Sequence, residues 1–310
     1  MGKLIHRKQM YHGPKAVFLD VIQDLTKRSN EECALIIKKG GAYHGKGRCK
    51  DPNRSVVQGD AIQVFYRLPI ELEVLAFDPH WVIEDAKNFL VANKPAGVPT
   101  QGRRDGDSMA FYEVLKQGIP GYLGLHHRLD QGTSGLIVFS RQKAVNAVFT
   151  KMFQERRISK TYLALCKGQW PSTEQTLEVH APIGRMPAGS RTPFGVLEDG
   201  KTAQTRFHRI GSDGDLFLVR AEPETGRTHQ IRIHAAHAGF PLCGDALYGP
   251  TQPFSSHGPN LPVNQFFLHA WRLAWKNMDV LETKTFEAPI PDWWQPFLGP
   301  RLMSDWCGGQ

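Results

Sequence analysis

The chain has 310 residues, 41% of them hydrophobic and 22% charged, which is core material for one large domain or two modest ones. No stretch approaches the ~20 consecutive apolar residues of a membrane helix, and the opening MGKLIHRKQMYHGPK has neither an apolar run for a secretory signal nor, with His6 in the Ser/Thr position, a myristoylation motif. The net charge of +8 is uneven: residues 1–67 hold 13 Lys and Arg against 6 Asp and Glu, a surplus of +7, while the remainder is near balance at +1.

That asymmetry points to a small module attracted to a polyanion, with nucleic acid foremost and a solvated basic surface as the bland alternative. Five scattered cysteines without a Cys-x-x-Cys pair speak against a disulfide framework and a structural zinc site. They suit reduced thiols in a cytoplasmic protein.

In chain order, Leu19, Val21, Ile22 and Leu25 suit a first helix. Ser29 and Asn30 supply N-cap chemistry for a second helix, EECALIIKK, which Gly40-Gly41 stops. A short strand-like stretch and the basic loop GKGRCKDPNR follow, and then Gly59-Asp60 turns into the alternating strand AIQVFYR. This helix–helix–strand order, with KRSNEECALIIKKGGAYHGK and VVQGDAIQVFY, resembles the alpha-L RNA-binding module. It departs at Ala42-Tyr43-His44-Gly45, where that family has a Val-Asn-Gly-like strand. Residues 1–67 are therefore expected to form an RNA-binding module, with Lys38, Lys39 and Arg48 among its RNA contacts.

Residues 68–80 (LPIELEVLAFDPH) look like a linker. From 81 to 298 strand-like runs (FLVANKP, GLIVFS, TYLALCKG, DLFLVRAEP) alternate with two helical stretches. RQKAVNAVFTKMFQER keeps a 3.6-residue apolar period, and THQIRIHAAHAG opens on Thr228 as a cap and closes at Gly239. Residues 299–310 read as a flexible tail. The expected class is α+β, a mixed or antiparallel sheet with flanking helices, preceded by a small α/β module.

Three clusters carry chemistry. His127-Arg128-Leu129-Asp130-Gln131-Gly132-Thr133-Ser134-Gly135 precedes an apolar strand. An aspartate fixed there can be a nucleophile, a base or a metal ligand, or it can merely cap a turn. Glu224 to His234 (ETGRTHQIRIH) places two arginines at a helix start. These could make an anion-friendly site, one of them could hold a buried carboxylate, or the segment could be a polar surface. Arg156-Arg157-Ile158-Ser159-Lys160-Thr161-Tyr162 is a basic helix end running into a strand, where a tyrosine is more often core than catalytic.

Together HRLDQGTSG, RRISKTYLAL and GRTHQIRIHAAHAGFPLCGDALYG, with NFLVANKPAGV before them and FFLHAWRLAW after, closely resemble the RluA-type pseudouridine synthases in the family's order over residues 80–292. The resemblance implies an isomerase that turns uridine into pseudouridine in RNA without cofactor or metal. It implies Asp130 as the essential aspartate, Tyr162 stacking on the target base and assisting proton removal from its carbon 5, and Arg232 pairing with Asp130 and keeping it charged. Arg128 would contact RNA and fill the space left by the flipped nucleotide, with Arg156, Arg157, Lys160 and Arg227 as further RNA contacts. Asn277-Met278-Asp279 stands where the family often has His-Pro. The expected substrate is structured RNA, large-subunit ribosomal RNA first and transfer RNA or several targets second, for a monomer away from membranes. A catalytically silent assembly factor and a metal-dependent hydrolase are the competing classes; the intact trio opposes the first, and the lack of a His-x-His or His-x-x-x-His array opposes the second.

Overall fold

The computed structural model describes residues 4–67, 75–102, 110–249 and 265–308. The chain divides into two compact units, Met1–Phe77 with Gln101–Ile119, and Asp78–Thr100 with Pro120–Gln310.

In the first unit, β1 (Leu4–Met10), β2 (Ala16–Val17), α1 (Phe18–Thr26), α2 (Asn30–Lys38), β3 (Ala42–His44), β4 (Gly47–Arg48), β5 (Ser55–Val56) and β6 (Ala61–Arg67) follow one another. Phe18, Val21 and Ile22 recur at helical spacing and bury one face of α1. Ser29 caps α2 reciprocally: its hydroxyl accepts the Glu32 amide at 3.2 Å, and Glu32 accepts the Ser29 amide at 2.9 Å. Gly40, at φ 78°, ends the helix where a side chain would be strained. The antiparallel sheet runs β1-β6-β3-β4. Alternation along β6 turns Ile62, Val64 and Tyr66 into the core with α1 and α2. β1, with only Leu4 and Ile5 apolar at its start, had no strand signal of its own; it forms by pairing with β6 along its whole length, Leu4 with Arg67 to Met10 with Ala61.

The expected linker lies outside the described residues over 68–74. Helix α3 (Phe111–Gly118) lies outside the two helical stretches expected from sequence, and although its residues fall in the segment expected as the 81–298 domain, it groups with the first unit, where Gly118 lies against the Phe77 ring.

The second unit holds β7 (Val82–Asp85), β8 (Phe89–Lys94), β9 (Gly124–Leu125), β10 (Ser134–Ser140), α4 (Asn146–Gln154), β11 (Ile158–Lys167), β12 (Thr176–His180), β13 (Ile183–Arg185), β14 (Phe194–Val196), β15 (Gln204–Asp213), β16 (Leu216–Pro223), α5 (Gln230–His237), β17 (Leu268–Trp275), β18 (Lys284–Glu287) and α6 (Pro300–Gly308). Its large sheet runs β12-β15-β16-β11-β17-β10-β8-β7, with β18 added to β17 and β9 to β10. Among the described residues only β10 and β17 pair in parallel, so the sheet is mixed. Their approach is close: a Cβ on Gly135 (φ 108°) would collide with the Ala270 carbonyl.

Period-two alternation along β11 sorts its side chains between two cores. Leu163 and Leu165 join Leu218, Phe267, Trp294 and Leu302, while Ala164 and Cys166 join Phe207, Phe217, Phe240 and Ala235 of α5. Tyr162 shares the second face and so projects to the side on which α5 lies. β10 is buried along its entire length, sandwiched on both faces.

Two expectations need correcting. The flexible tail expected over residues 299–310 is instead helical over Pro300–Gly308. Pro300 suits a first helical position, Leu302 is buried, and Trp306 packs edge-on against Trp271 at 4.9 Å. Thr228 does not serve as the helix cap its position suggests. α5 instead starts after His229, whose left-handed backbone (φ 56°) turns the chain into the helix, and Thr228 is exposed.

Candidate active site

The loop between β9 and β10 presents Asp130, and its backbone is held from below. The Thr100 hydroxyl donates to the Leu129 carbonyl at 2.7 Å and accepts the Leu129 amide at 3.0 Å. The Lys94 ammonium is fully buried and donates to the carbonyls of Val98 (2.7 Å), Pro95 (2.8 Å) and Gln131 (3.4 Å). Burial pulls its pKa down to about 7, against the opposing pull of the Asp130 charge. Gln131 returns a side-chain bond to the Gly97 carbonyl at 2.9 Å. At the loop's far end the Ser134 hydroxyl meets His269 Nδ1 at 2.9 Å. Two glycine-bearing turns are thereby laced together.

α5 brings Arg232 to this loop. The guanidinium is 7% exposed, donates from Nη1 to Asp130 Oδ2 at 3.2 Å, and grips Asp245 with Nε and Nη2 at 2.7 and 2.9 Å. It lies 4.2 Å over the Phe266 ring and 5.0 Å over Tyr248. Desolvation opposes its charge, but bonding to Asp245 and the charges of Asp245 and Asp130 outweigh this and raise its pKa. Asp245 is buried and also accepts the amides of Leu247 (3.0 Å) and Tyr248 (3.2 Å). Arg232 is therefore a bridge: a two-pronged bond fixes it to a buried aspartate, and the remaining nitrogen points to the loop aspartate.

His229 completes the rim, with Nδ1 on the Tyr248 hydroxyl at 2.8 Å and Nε2 3.8 Å from Asp130 Oδ2. Desolvation lowers its pKa despite the Asp130 charge, and burial pushes the Tyr248 hydroxyl up to about 12. Tyr162 is half-buried on β11, where the ladder to β17 slips between Thr161 and Leu163. Burial first, and the Asp130 charge second, push its hydroxyl well above the ordinary phenol range. Asp130 itself stays partly open, its side chain 29% exposed.

The start of α5 is not the free anion site that its sequence allows. Gln230 accepts the Arg227 amide at 3.0 Å and the Thr225 hydroxyl at 2.6 Å, and Arg227 Nε donates to the Thr202 carbonyl at 3.0 Å. Buried His234 ties Thr205 to the Ala181 carbonyl at 2.9 Å each. Arg227 nevertheless lines a cavity of about 510 Å³ with Arg185, Phe194, Lys201 and Thr228.

Of the residues expected from sequence, Asp130, Tyr162 and Arg232 converge. Arg128 is exposed on the same loop, and Arg156 and Arg157 are exposed in the turn before β11, where Arg157 donates to Met278 Sδ at 3.2 Å. Lys160 is half-buried, 5.8 Å over the Phe153 ring, and burial lowers its pKa. Lys38, Lys39 and Arg48 belong to the first unit, Lys38 exposed at the end of α2. Lys94, His229, Asp245, Tyr248 and Phe266 join the site beyond the residues expected from sequence. Their signals stood in the same segments: a lysine inside the apolar run FLVANKP, and an aspartate after glycine in CGDALYG that can be buried only beside a cation. Among the described residues, no group of three or more His, Cys, Asp or Glu is placed to hold a metal ion.

Residues 88–237 match the family model described as RNA pseudouridylate synthase. The chain is 32% identical over 266 residues to ribosomal large subunit pseudouridine synthase C of Yersinia pestis, covering 82% of each. It is 36% identical over 271 residues to an RNA pseudouridine synthase of Chloroflexus aurantiacus, covering 85% of this chain and 82% of that one. Among solved structures, human RNA pseudouridylate synthase domain containing 1 superposes with a TM-score of 0.57 at 27% identity, over 70% of this chain and 86% of that chain.

Proposed function

The chain belongs to the RluA-type RNA pseudouridylate synthases, isomerases that convert uridine to pseudouridine in RNA, and on that premise we propose that it modifies uridines of large-subunit ribosomal RNA with Asp130 as the essential carboxylate. The single observation that carries the assignment of the site is the 3.2 Å bond from Arg232 to Asp130 beneath an otherwise open carboxylate. A carboxylate that is 29% exposed and paired through Oδ2 suits attack on, or proton removal from, a sugar carbon.

The reaction breaks the bond from uracil N1 to the sugar, turns the ring and joins carbon 5 to the same sugar carbon; carbon 5 gives up its proton and N1 takes one, so the product is an isomer. A stacked base is out of reach, so the nucleotide flips into the pocket. Tyr162, held as the neutral phenol, is the platform against which the uracil lies. Asp130 acts on the ribose, and Arg232, anchored by Asp245, balances the carboxylate's charge as it changes. Arg128 contacts the RNA beside the vacated position, Arg156 and Arg157 extend the contact along the turn before β11, and Lys160 continues it on the strand. Arg227, with the cavity it lines, takes a neighbouring nucleotide. Residues 1–67, with Lys38, Lys39 and Arg48, form an RNA-binding module, and the second unit, Asp78–Thr100 with Pro120–Gln310, is the catalytic domain.

The names of the ribosomal large subunit relatives support the ribosomal target. Buried free thiols at Cys33, Cys49, Cys166 and Cys243 suit the reducing cytoplasm, and one chain supplies the whole trio, as a working monomer requires. The test is tritium release from RNA carrying carbon-5-tritiated uridine: wild type releases label and forms pseudouridine in large-subunit ribosomal RNA. Release that persists in Asp130→Asn refutes the role of Asp130, and modification confined to transfer RNA refutes the ribosomal assignment.

A further inference from the structure

The sheet of the first unit has a second face that the chemistry above leaves unused. α1 and α2 cover the side bearing Ile62, Val64 and Tyr66, so alternation turns Gln63 and Phe65 to the opposite side. There each of the four strands contributes one side chain to a line: His6 from β1, Phe65 from β6, Tyr43 from β3 and Arg48 from β4. His6 and Phe65 are cross-strand partners, stacked with centroids 4.2 Å apart and planes only 5° from parallel. Tyr43 meets Phe65 edge-on at 5.6 Å. Arg48, the β4 partner of Tyr43, sits 5.4 Å over that ring and donates from Nη2 to its hydroxyl at 2.8 Å. His6 and Lys8 are exposed; Phe65, Tyr43 and Arg48 are half-buried.

Cross-strand ring pairing stabilises a sheet, which accounts for His6 beside Phe65. It does not account for a third ring continuing the line, a guanidinium at one edge strand and a lysine at the other, or the +7 surplus of the segment that carries them. We propose that this line is a stacking platform for unpaired bases of single-stranded RNA, with Lys8 and Arg48 meeting the flanking phosphates; the proposal rests on the reading that the chain acts on RNA. Every base offers a π-face whatever its identity, and rings interleaved with cations hold such strands. The line crosses four strands, roughly 14 Å, which leaves room for more than one base. An acidic peptide would satisfy the cations but has no flat surface to lay on the rings.

The test uses the full chain and a labelled short oligoadenylate, which has no uridine for the Asp130 site, read by fluorescence anisotropy across a salt series. His6→Ala should weaken binding about tenfold and His6→Phe should restore it. The slope of log affinity against log salt should stay unchanged in both, because no phosphate contact is lost. Affinity for inorganic polyphosphate, which has charge but no bases, should also be unchanged by His6→Ala. Arg48→Gln should instead flatten the salt slope by about 0.7. Thermal melting confirms that each variant is folded, and Phe65→Leu provides a second loss of stacking that keeps an apolar residue.

Wild-type affinity in both His6→Ala and Phe65→Leu overturns the proposal, as does equal weakening toward polyphosphate. A change of oligomeric state with RNA affinity intact overturns it too, and assigns the face to a second copy of the chain. Failure of wild type to form pseudouridine would overturn the proposed reaction alone, since oligoadenylate binding is measured without turnover.

Discussion

Arg232 faces two aspartates, and its bonds predict an unequal partnership. Asp245 is 1% exposed and doubly bonded at 2.7 and 2.9 Å, whereas Asp130 is 29% exposed and singly bonded at 3.2 Å. Asp245→Ala strands a buried guanidinium. Removing one partner of such a pair costs about 3–5 kcal/mol, and at 4 kcal/mol the melting temperature of the second unit should fall by roughly 8–16 °C. Asp130→Ala removes only the open partner and should cost about 1 kcal/mol or less. Double-mutant cycles with Arg232→Met separate the two couplings, since each subtracts the single losses from the combined loss. The coupling to Asp245 should reach several kcal/mol of recovered stability, while that to Asp130 should stay near or below one. The assay is urea unfolding followed by tryptophan fluorescence, Trp275 and Trp294 both being buried in the second unit. A coupling to Asp130 as large as that to Asp245 would refute the reasoning, because the catalytic carboxylate would then be a structural partner rather than a free one.

Asp130→Asn should bind RNA and melt like wild type yet release no tritium; measurable turnover would remove it from the chemistry. Lys94→Met should cost about 1–3 kcal/mol by leaving the Pro95, Val98 and Gln131 carbonyls without their donor. It should also lower kcat, since those carbonyls shape the Asp130 loop; unchanged stability and kcat together would mean that the lacing is idle. Burial pushes His269 down to about 4, below the ~6.5 of an unfolded histidine. Protons therefore favour the unfolded chain, and the stability contributed is fully present above about pH 6.5 and lost as pH falls toward 4, at up to about 1.4 kcal/mol per pH unit. Urea midpoints from pH 7 to 4 check this, and His269→Asn should show a shallower slope. Arg128→Ala should flatten the salt dependence of RNA affinity by about 0.7–0.9, and an identical slope would place Arg128 off the phosphates.

Much of this was legible before any fold was known. Ser29 and Asn30 carry N-cap chemistry, which the structure places on Ser29 with Glu32 reciprocating, and the alternation of AIQVFYR requires a half-buried strand. The strands at FLVANK, SGLIVFS and ISKTYLALCK follow from apolar runs, and the convergence of Asp130, Tyr162 and Arg232 from motifs whose order matches a family. Local chemistry is encoded locally, so it can be read in one dimension.

What escaped was decided across the chain. LIHRKQM has no strand pattern and becomes β1 only because β6 offers it a complete ladder. The chain's end looks disposable in CGGQ, but Leu302 and Trp306 are apolar knobs whose holes lie in distant strands. The sequence allowed one arginine of ETGRTHQIRIH to hold a buried carboxylate, and the family resemblance supplied Asp130. Only the tertiary structure decided that Asp245 holds that arginine and Asp130 merely borrows it. Two carboxylates compete for one guanidinium, and the winner is the one that burial denies water: a solvated carboxylate has an alternative to the bond, and a buried one has none.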